Sequence, residues 1–174
     1  DGQKLGGVVG TLMTNLAIEN AIRGLGIEFE RANVGDRYVL ENMLANNYSL
    51  GGEQSGHVIL REFSNTGDGL LTALQVMQVL ARSKKSLSEL SSKMQKYPQV
   101  LVNVKDVKKE KLAASNKIND FISEQEKALG NTGRILVRAS GTEALVRVMV
   151  EAQEIQTAQK IADSLAELVR SELK

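Results

Sequence analysis

The chain has 174 residues, 42% of them hydrophobic, which is enough apolar material for one ordinary domain or two small ones. Its 22 basic and 21 acidic residues leave a formal charge of +1, and three Tyr, three Phe and no Trp offer few stacking platforms, so neither non-specific nucleic-acid binding nor attachment to a membrane surface is expected. The lack of Cys excludes disulfides, thiolate nucleophiles and Cys-ligated zinc, and a single histidine, His57, excludes a His-rich metal centre.

Residues 5–82 alternate short β-rich runs with helical ones, the pattern of α/β layering. Residues 8–12 read as a strand, and Thr14 can cap a following helix whose apolar face is Ile18, Ala21, Ile22 and Leu25, stopped by Gly26. Residues 27–34 read as a second strand. Asp36 is the expected N-cap of a helix through Val39, Leu40, Met43 and Leu44 that runs out at Asn46-Asn47. A glycine-rich loop over 51–56 and a strand over 57–60 follow. Residues 70–81 are apolar almost all round, which predicts a helix buried between neighbours. Ser86-Leu87-Ser88-Glu89 fits a capping box opening a short helix to about Met94.

The only proline, Pro98, lies near a change of texture, and the domain boundary is placed at about residue 95. The second part reads β-α-β-β-α, with strands over 100–105, 134–138 and 145–151 and helices over 108–129 and 154–173. Val100, Val102 and Val104 alternate along one strand and Val146, Val148 and Val150 along another. Two strands joined by the short loop 139–144 form an antiparallel hairpin, so this part is expected to be α+β. No stretch is apolar for long enough to cross a bilayer and no export signal opens the chain, so the expected location is cytoplasmic. The first residue is Asp1 rather than Met, as in an excised or processed piece of a longer protein.

Two segments carry chemistry. Arg138-Ala139-Ser140-Gly141-Thr142-Glu143, with Arg147 on the next strand, offers two guanidinium forks, two hydroxyls and backbone N–H groups freed by a glycine turn, the donor set a phosphate dianion wants. The plainer reading is a Ser-Gly-Thr hairpin turn with surface arginines paired to Glu143 and Glu151. Gly51-Gly52-Glu53-Gln54-Ser55-Gly56-His57 places a carboxylate and a hydroxyl two residues apart between glycines, which suits sugar hydroxyls or an amino group. Here the plainer reading is a glycine turn with a structural Glu or His. Gly35-Asp36-Arg37 and Thr66-Gly67-Asp68-Gly69 put an acid at a helix start, where capping accounts for Asp68, and Arg37 stays open as an anion or inter-domain contact.

Together, in this order and separation, these segments resemble the α-D-phosphohexomutases over nearly the whole chain. Gln54 is the discriminating letter: phosphomannomutase-like members usually have Met there and phosphoglucomutase-like members often Glu, so Gln resembles the glucosamine-phosphate branch. The resemblance implies a three-layer α/β/α third domain for sugar recognition over 1–95. It implies a smaller α+β C-terminal phosphate-binding domain over 96–174, with an antiparallel sheet and two helices of TATA-binding-protein-like fold.

What the resemblance implies about function is an isomerase, an intramolecular phosphotransferase. It would interconvert glucosamine 6-phosphate and glucosamine 1-phosphate through a phosphoserine and bisphosphorylated glucosamine as intermediate, for amino-sugar nucleotide and peptidoglycan precursor synthesis. Arg138, Ser140, Gly141, Thr142 and Arg147 would hold the phosphate that is not reacting. Glu53 and Ser55 would read sugar hydroxyls within a loop completed by Gly52, Gln54, Gly56 and His57, with Arg37 and Asp36 as accessories, and the two loops would grip opposite ends of one ligand. The family's phosphorylated serine and its Asp-Gly-Asp Mg2+ loop lie in two earlier domains, and no segment here matches either. The fragment is therefore expected to contain no catalytic residue and no metal ligand, and to bind without turnover. Its expected partners are glucosamine phosphate and the missing N-terminal half, with a homodimer open for the full-length enzyme, and no nucleic acid or membrane. Ala139 and Ala144 stand where the family usually has proline, which predicts a larger ordering cost for the phosphate loop. The alternative is a freestanding phosphosugar-binding or regulatory module without catalysis.

Overall fold

The computed structural model describes residues 6–92 and 94–174. Leu5, at the start of the alternating pattern, and Lys93, inside the predicted short helix, lie outside the described residues. The chain divides into two compact units, Asp1–Lys96 and Tyr97–Lys174.

The first unit runs β1 (Gly7–Thr11), α1 (Leu16–Gly24), β2 (Glu28–Ala32), α2 (Asp36–Asn46), β3 (Leu50–Gly52), β4 (Val58–Leu60), α3 (Gly69–Ser83) and α4 (Leu87–Ser91). Its sheet has the order β2-β1-β3-β4, with β1 parallel to β2 and β3, and β4 antiparallel to β3. Period-2 alternation sends Val9, Ala32 and Ile59 to one face, where Val39 and Met43 of α2 and the ring of Tyr48 close a core over them. On the other face Ile18 and Ile22 of α1 line an apolar groove with Val8, Phe29 and Leu50. Helices thus lie on both faces of a mixed sheet, the α/β/α layering expected.

Several local expectations are corrected. Asn15, not Thr14, caps α1, its side chain accepting from Ala17 N at 3.1 Å; the Thr14 hydroxyl instead accepts from Thr11 N at 2.9 Å and ties down the end of β1. Gly35 occupies the cap of α2 and Asp36 the first helical position, its carboxylate accepting from Arg37 N. The glycine-rich loop begins later than expected, because Leu50–Gly52 is strand β3. Glycine hides this strand from propensity, yet the packing requires it: a Cβ on Gly51 would sit 2.5 Å from Met43 Sδ and 2.7 Å from Val39 Cγ1. The helix α3 buries no residue, and Leu70, Leu74 and Met77 are 73%, 52% and 53% exposed. It meets its sheet at the β4 edge.

The second unit runs β5 (Gln99–Lys105), a 3-10 turn (Lys109–Ala114), α5 (Asn116–Leu129), a 3-10 turn (Gly130–Thr132), β6 (Gly133–Ala139), β7 (Leu145–Ala152) and α6 (Ile155–Glu172). The helix expected over 108–129 is divided, because Ser115 takes extended angles (φ −83°, ψ 101°) that no α-helix continues through. The antiparallel sheet has the order β5-β7-β6. Val104, Val146, Val148, Val150 and Ile135 pack against Ala158, Ile161, Ala162, Leu165, Ala166 and Val169, the i, i+3, i+4 stripe of α6, and against Ile118 of α5. The opposite sheet face carries polar rows, Gln99–Glu151–Arg134 and Asn103–Arg147–Arg138. Glu151 is fully buried and takes both Nε and Nη2 of Arg134, at 2.7 and 3.3 Å. No helix among the described residues is long and apolar enough to cross a membrane.

Candidate functional site

In the first unit the carboxylate loop is a tight hairpin between β3 and β4. Glu53 N donates to His57 O at 2.8 Å and Gly56 N to Glu53 O at 3.1 Å, and Gly56 has φ 97°, a conformation that favours glycine. A Cβ on Gly52 would lie 2.8 Å from His57 O, so backbone meets backbone there. Gln54, Ser55 and His57 are exposed, and Gln54 and Ser55 have no hydrogen-bond partner among the described residues.

Three of the segments singled out in the sequence meet at this hairpin. Glu53 Oε1 accepts from Gly35 N at 2.9 Å. Gly35, at φ 130° and ψ 133°, holds a backbone region essentially confined to glycine, so the Gly-Asp-Arg turn is shaped to deliver that N–H. On the other side His57 packs against Gly67, where a Cβ would come within 2.9 Å of the imidazole Cδ2. Asp68 caps α3 through Leu71 N at 2.9 Å, as capping predicted. Arg37 is not aimed at the hairpin but pairs with Glu41 at 2.7 Å, and that hydrogen bond raises the guanidinium pKa above its ordinary value. One oxygen of Glu53 is thus fixed by the protein, and the second is left for a hydroxyl or ammonium group.

In the second unit the arginine turn closes β6 onto β7. Ser140 N donates to Leu145 O at 2.9 Å, and the Ser140 hydroxyl accepts from Glu143 N at 3.2 Å, so a buried serine shapes the turn while keeping its own proton to donate. Arg147 Nη2 pairs with Glu143 at 3.1 Å, as the plain hairpin reading expects, whereas Glu151 is taken by Arg134. The remaining donors are unspent. Arg138 and the N–H groups of Gly141, Thr142 and Ala144 have no partner among the described residues, and Arg147 Nε is buried without an acceptor. A buried orphan donor beside a free guanidinium and unpaired amides is the electrostatics of an anion site.

Lys109 was missed. Its Nζ donates to the carbonyls of Ser140 and Glu143 at 2.6 and 2.9 Å, from a stretch whose charges look like a solvated helix face in the sequence. Among the described residues no three His, Asp or Glu side chains group as a metal site.

These two sites belong to segments that known proteins share. Residues 1–97 match the family model "Phosphoglucomutase/phosphomannomutase, alpha/beta/alpha domain III", and residues 101–168 match "Phosphoglucomutase/phosphomannomutase, C-terminal domain". A phosphoglucosamine mutase of Polynucleobacter asymbioticus is 54% identical over 97% of this chain and 38% of its own length. Among solved structures, an Aspergillus fumigatus N-acetylphosphoglucosamine mutase covers 95% of this chain at 21% identity with a TM-score of 0.81, over 38% of its own length. The same enzyme in complex with GlcNAc-6P and magnesium covers 99% at 22% identity with a TM-score of 0.76, over 40% of its own length. The chain therefore spans about 38% of the length of the curated relative it matches. Matched by both family models, with the carboxylate hairpin inside the first and the arginine turn inside the second, the chain belongs to the phosphoglucomutase/phosphomannomutase family.

Proposed function

We propose that this chain is the sugar-recognition and phosphate-binding part of a cytoplasmic phosphoglucosamine mutase, which interconverts glucosamine 6-phosphate and glucosamine 1-phosphate through a phosphoserine and bisphosphorylated glucosamine, supplying amino-sugar nucleotide and cell-wall precursor synthesis. The observation that carries the reading is the set of unspent donors on the arginine turn: Arg138, Arg147 Nε and the amides of Gly141, Thr142 and Ala144. Charge-assisted hydrogen bonds contribute roughly 1.5–3 kcal/mol each, so several converging on one dianion hold a phosphate without a large apolar pocket. Ser140 adds its proton and Thr142 its hydroxyl. In the other unit Glu53, steadied by Gly35 N, reads sugar hydroxyls together with Ser55, while Gln54 sets the preference for the amino sugar.

These residues recognise and orient; none is an acid, base or nucleophile in the reaction. Binding energy from the phosphate that is not reacting positions the one that is. The side chains present do not fit a Mg2+ site, since no carboxylates group among the described residues, so the magnesium of the proposed enzyme would be held by parts of the protein outside this chain. The chain alone is expected to bind glucosamine phosphate without turning it over.

Titration of glucosamine 6-phosphate into the chain, followed by amide chemical shifts, tests this. Saturable shifts at Gly141, Thr142 and the 53–57 hairpin are expected, with those at the arginine turn weakened by Arg138→Ala. Equal responses from wild type and Arg138→Ala would remove the phosphate assignment.

A further inference from the structure

We infer that Lys109 is a positioning residue of the arginine turn, aiming the amides of Gly141 and Ala144 at the bound anion. The inference rests on the phosphate-binding reading of that turn and names the group that prepares it.

After β5 the chain turns through Asp106, at φ 57°, into the 3-10 turn Lys109–Ala114, and this places the Lys109 ammonium against the loop 31 residues further on. The ammonium donates to Ser140 O at 2.6 Å and to Glu143 O at 2.9 Å. Every peptide bond here is trans, and in a planar trans peptide the carbonyl and the following N–H point in opposite directions. Holding Ser140 C=O toward Lys109 therefore directs Gly141 N–H away from it, and holding Glu143 C=O does the same for Ala144 N–H. Those are two of the amides that find no acceptor among the described residues. The ammonium also polarises both peptide units, which strengthens the N–H groups as donors. One half-buried lysine thus fixes two donors that would otherwise have to be ordered when the anion arrives.

A merely structural lysine would stabilise the unit without tuning the anion site, so the test reads both. Inorganic phosphate is titrated into the full chain and into Lys109→Met and Lys109→Arg, with amide shifts and thermal unfolding recorded for each. Wild type should show saturable downfield shifts at Gly141 and Ala144. Lys109→Met should bind phosphate about tenfold more weakly with smaller shifts at those two amides, and Lys109→Arg, whose guanidinium can reach both carbonyls, should recover to within about threefold of wild type. Equal phosphate affinity in wild type and Lys109→Met overturns the inference and leaves the phosphate reading standing, as does a Lys109→Arg chain as weak as Lys109→Met. A wild-type chain whose Gly141, Ala144 and Arg138 signals ignore phosphate removes the phosphate reading and this inference with it. Should Lys109→Met lose its fold, the wild-type Lys109 ζ-nitrogen resonance decides: it should shift with the same half-saturation as Gly141 N–H, and a resonance that stays put while Gly141 saturates overturns the proposal.

Discussion

Arg138 and Arg147 are direct cross-strand partners in the β6–β7 pair. The Arg147 guanidinium has Glu143 at 3.1 Å, whereas that of Arg138 is exposed, with no hydrogen bond or ion pair among the described residues. Like charges directly opposite each other destabilise an antiparallel pair by about 0.2–1 kcal/mol. A bound phosphate would turn that repulsion into shared attraction. Arg138→Ala should therefore slightly raise the stability of the ligand-free second unit at low ionic strength, and the gain should shrink as salt screens the pair. Saturating phosphate should reverse the order, stabilising wild type and leaving the variant behind. Denaturant unfolding read on the amides of α6, at two salt concentrations, checks this; a variant less stable than wild type without ligand at low salt contradicts it.

Gly51 is a packing requirement of β3. A Cβ there would lie 2.5 Å from Met43 Sδ and 2.7 Å from Val39 Cγ1, both in the core between sheet and α2. Val39 and Met43 are fully buried and have little room to yield. Gly51→Ala should cost about 1–3 kcal/mol, the usual penalty of overpacking, and should loosen the carboxylate hairpin that β3 enters. Gly56→Ala meets no neighbouring atom, so its cost comes only from φ 97° and should be the smaller of the two. Chemical denaturation of the two variants ranks them, and the reverse order would show that backbone conformation rather than core volume governs this hairpin.

What the sequence made legible followed from how far each signal reaches. The alternating valines of β5 and β7 placed the second unit's sheet, because a period-2 pattern reports a buried face directly. Leu70, Leu74 and Met77 reported apolarity equally well and burial wrongly, since burial depends on what lies against a helix and not only on its composition. The contact of Glu53 with Gly35 spans 18 residues, and Lys109 reaches 31 and 34 residues to its two carbonyls. No local pattern encodes such pairings. Glycine and serine were legible as punctuation, yet whether Gly51 meant a loop or a close-packed strand depended on Met43 and Val39, which lie on another element.

The capping box of α4 gives the first unit an acid-sensitive end. The Ser86 hydroxyl and backbone N–H donate to Glu89 at 2.6 and 2.8 Å, and those bonds hold the Glu89 carboxyl below its ordinary pKa. A depressed folded-state pKa contributes stability that is present above the unfolded value and lost as pH falls through the folded one. With an ordinary glutamate near 4.3, α4 should stay capped above about pH 5 and fray as pH falls below about 4. The protection of the Glu89 amide from exchange, taken relative to its intrinsic rate at each pH, should fall across that window in wild type. In Glu89→Gln that protection should be lower at neutral pH and nearly independent of pH, and a wild-type protection just as independent of pH would show that the carboxylate does not hold the cap.

Glu53 joins structure and recognition in one carboxylate, and two substitutions separate these roles. In Glu53→Gln the amide oxygen can still accept from Gly35 N, so the Gly-Asp-Arg turn should keep its position and Gly35 its protection from exchange. In Glu53→Ala that half-buried N–H loses its acceptor, at a cost of about 1–3 kcal/mol to the local fold. Both variants lose the negative charge offered to the ligand. If Glu53 reads the sugar through its second oxygen, glucosamine 6-phosphate binding should weaken in both variants, while only Glu53→Ala should speed exchange at Gly35. Binding that weakens in Glu53→Ala alone would assign Glu53 to holding the turn, and recognition would then fall to Ser55 and Gln54, the exposed and unpartnered side chains beside it.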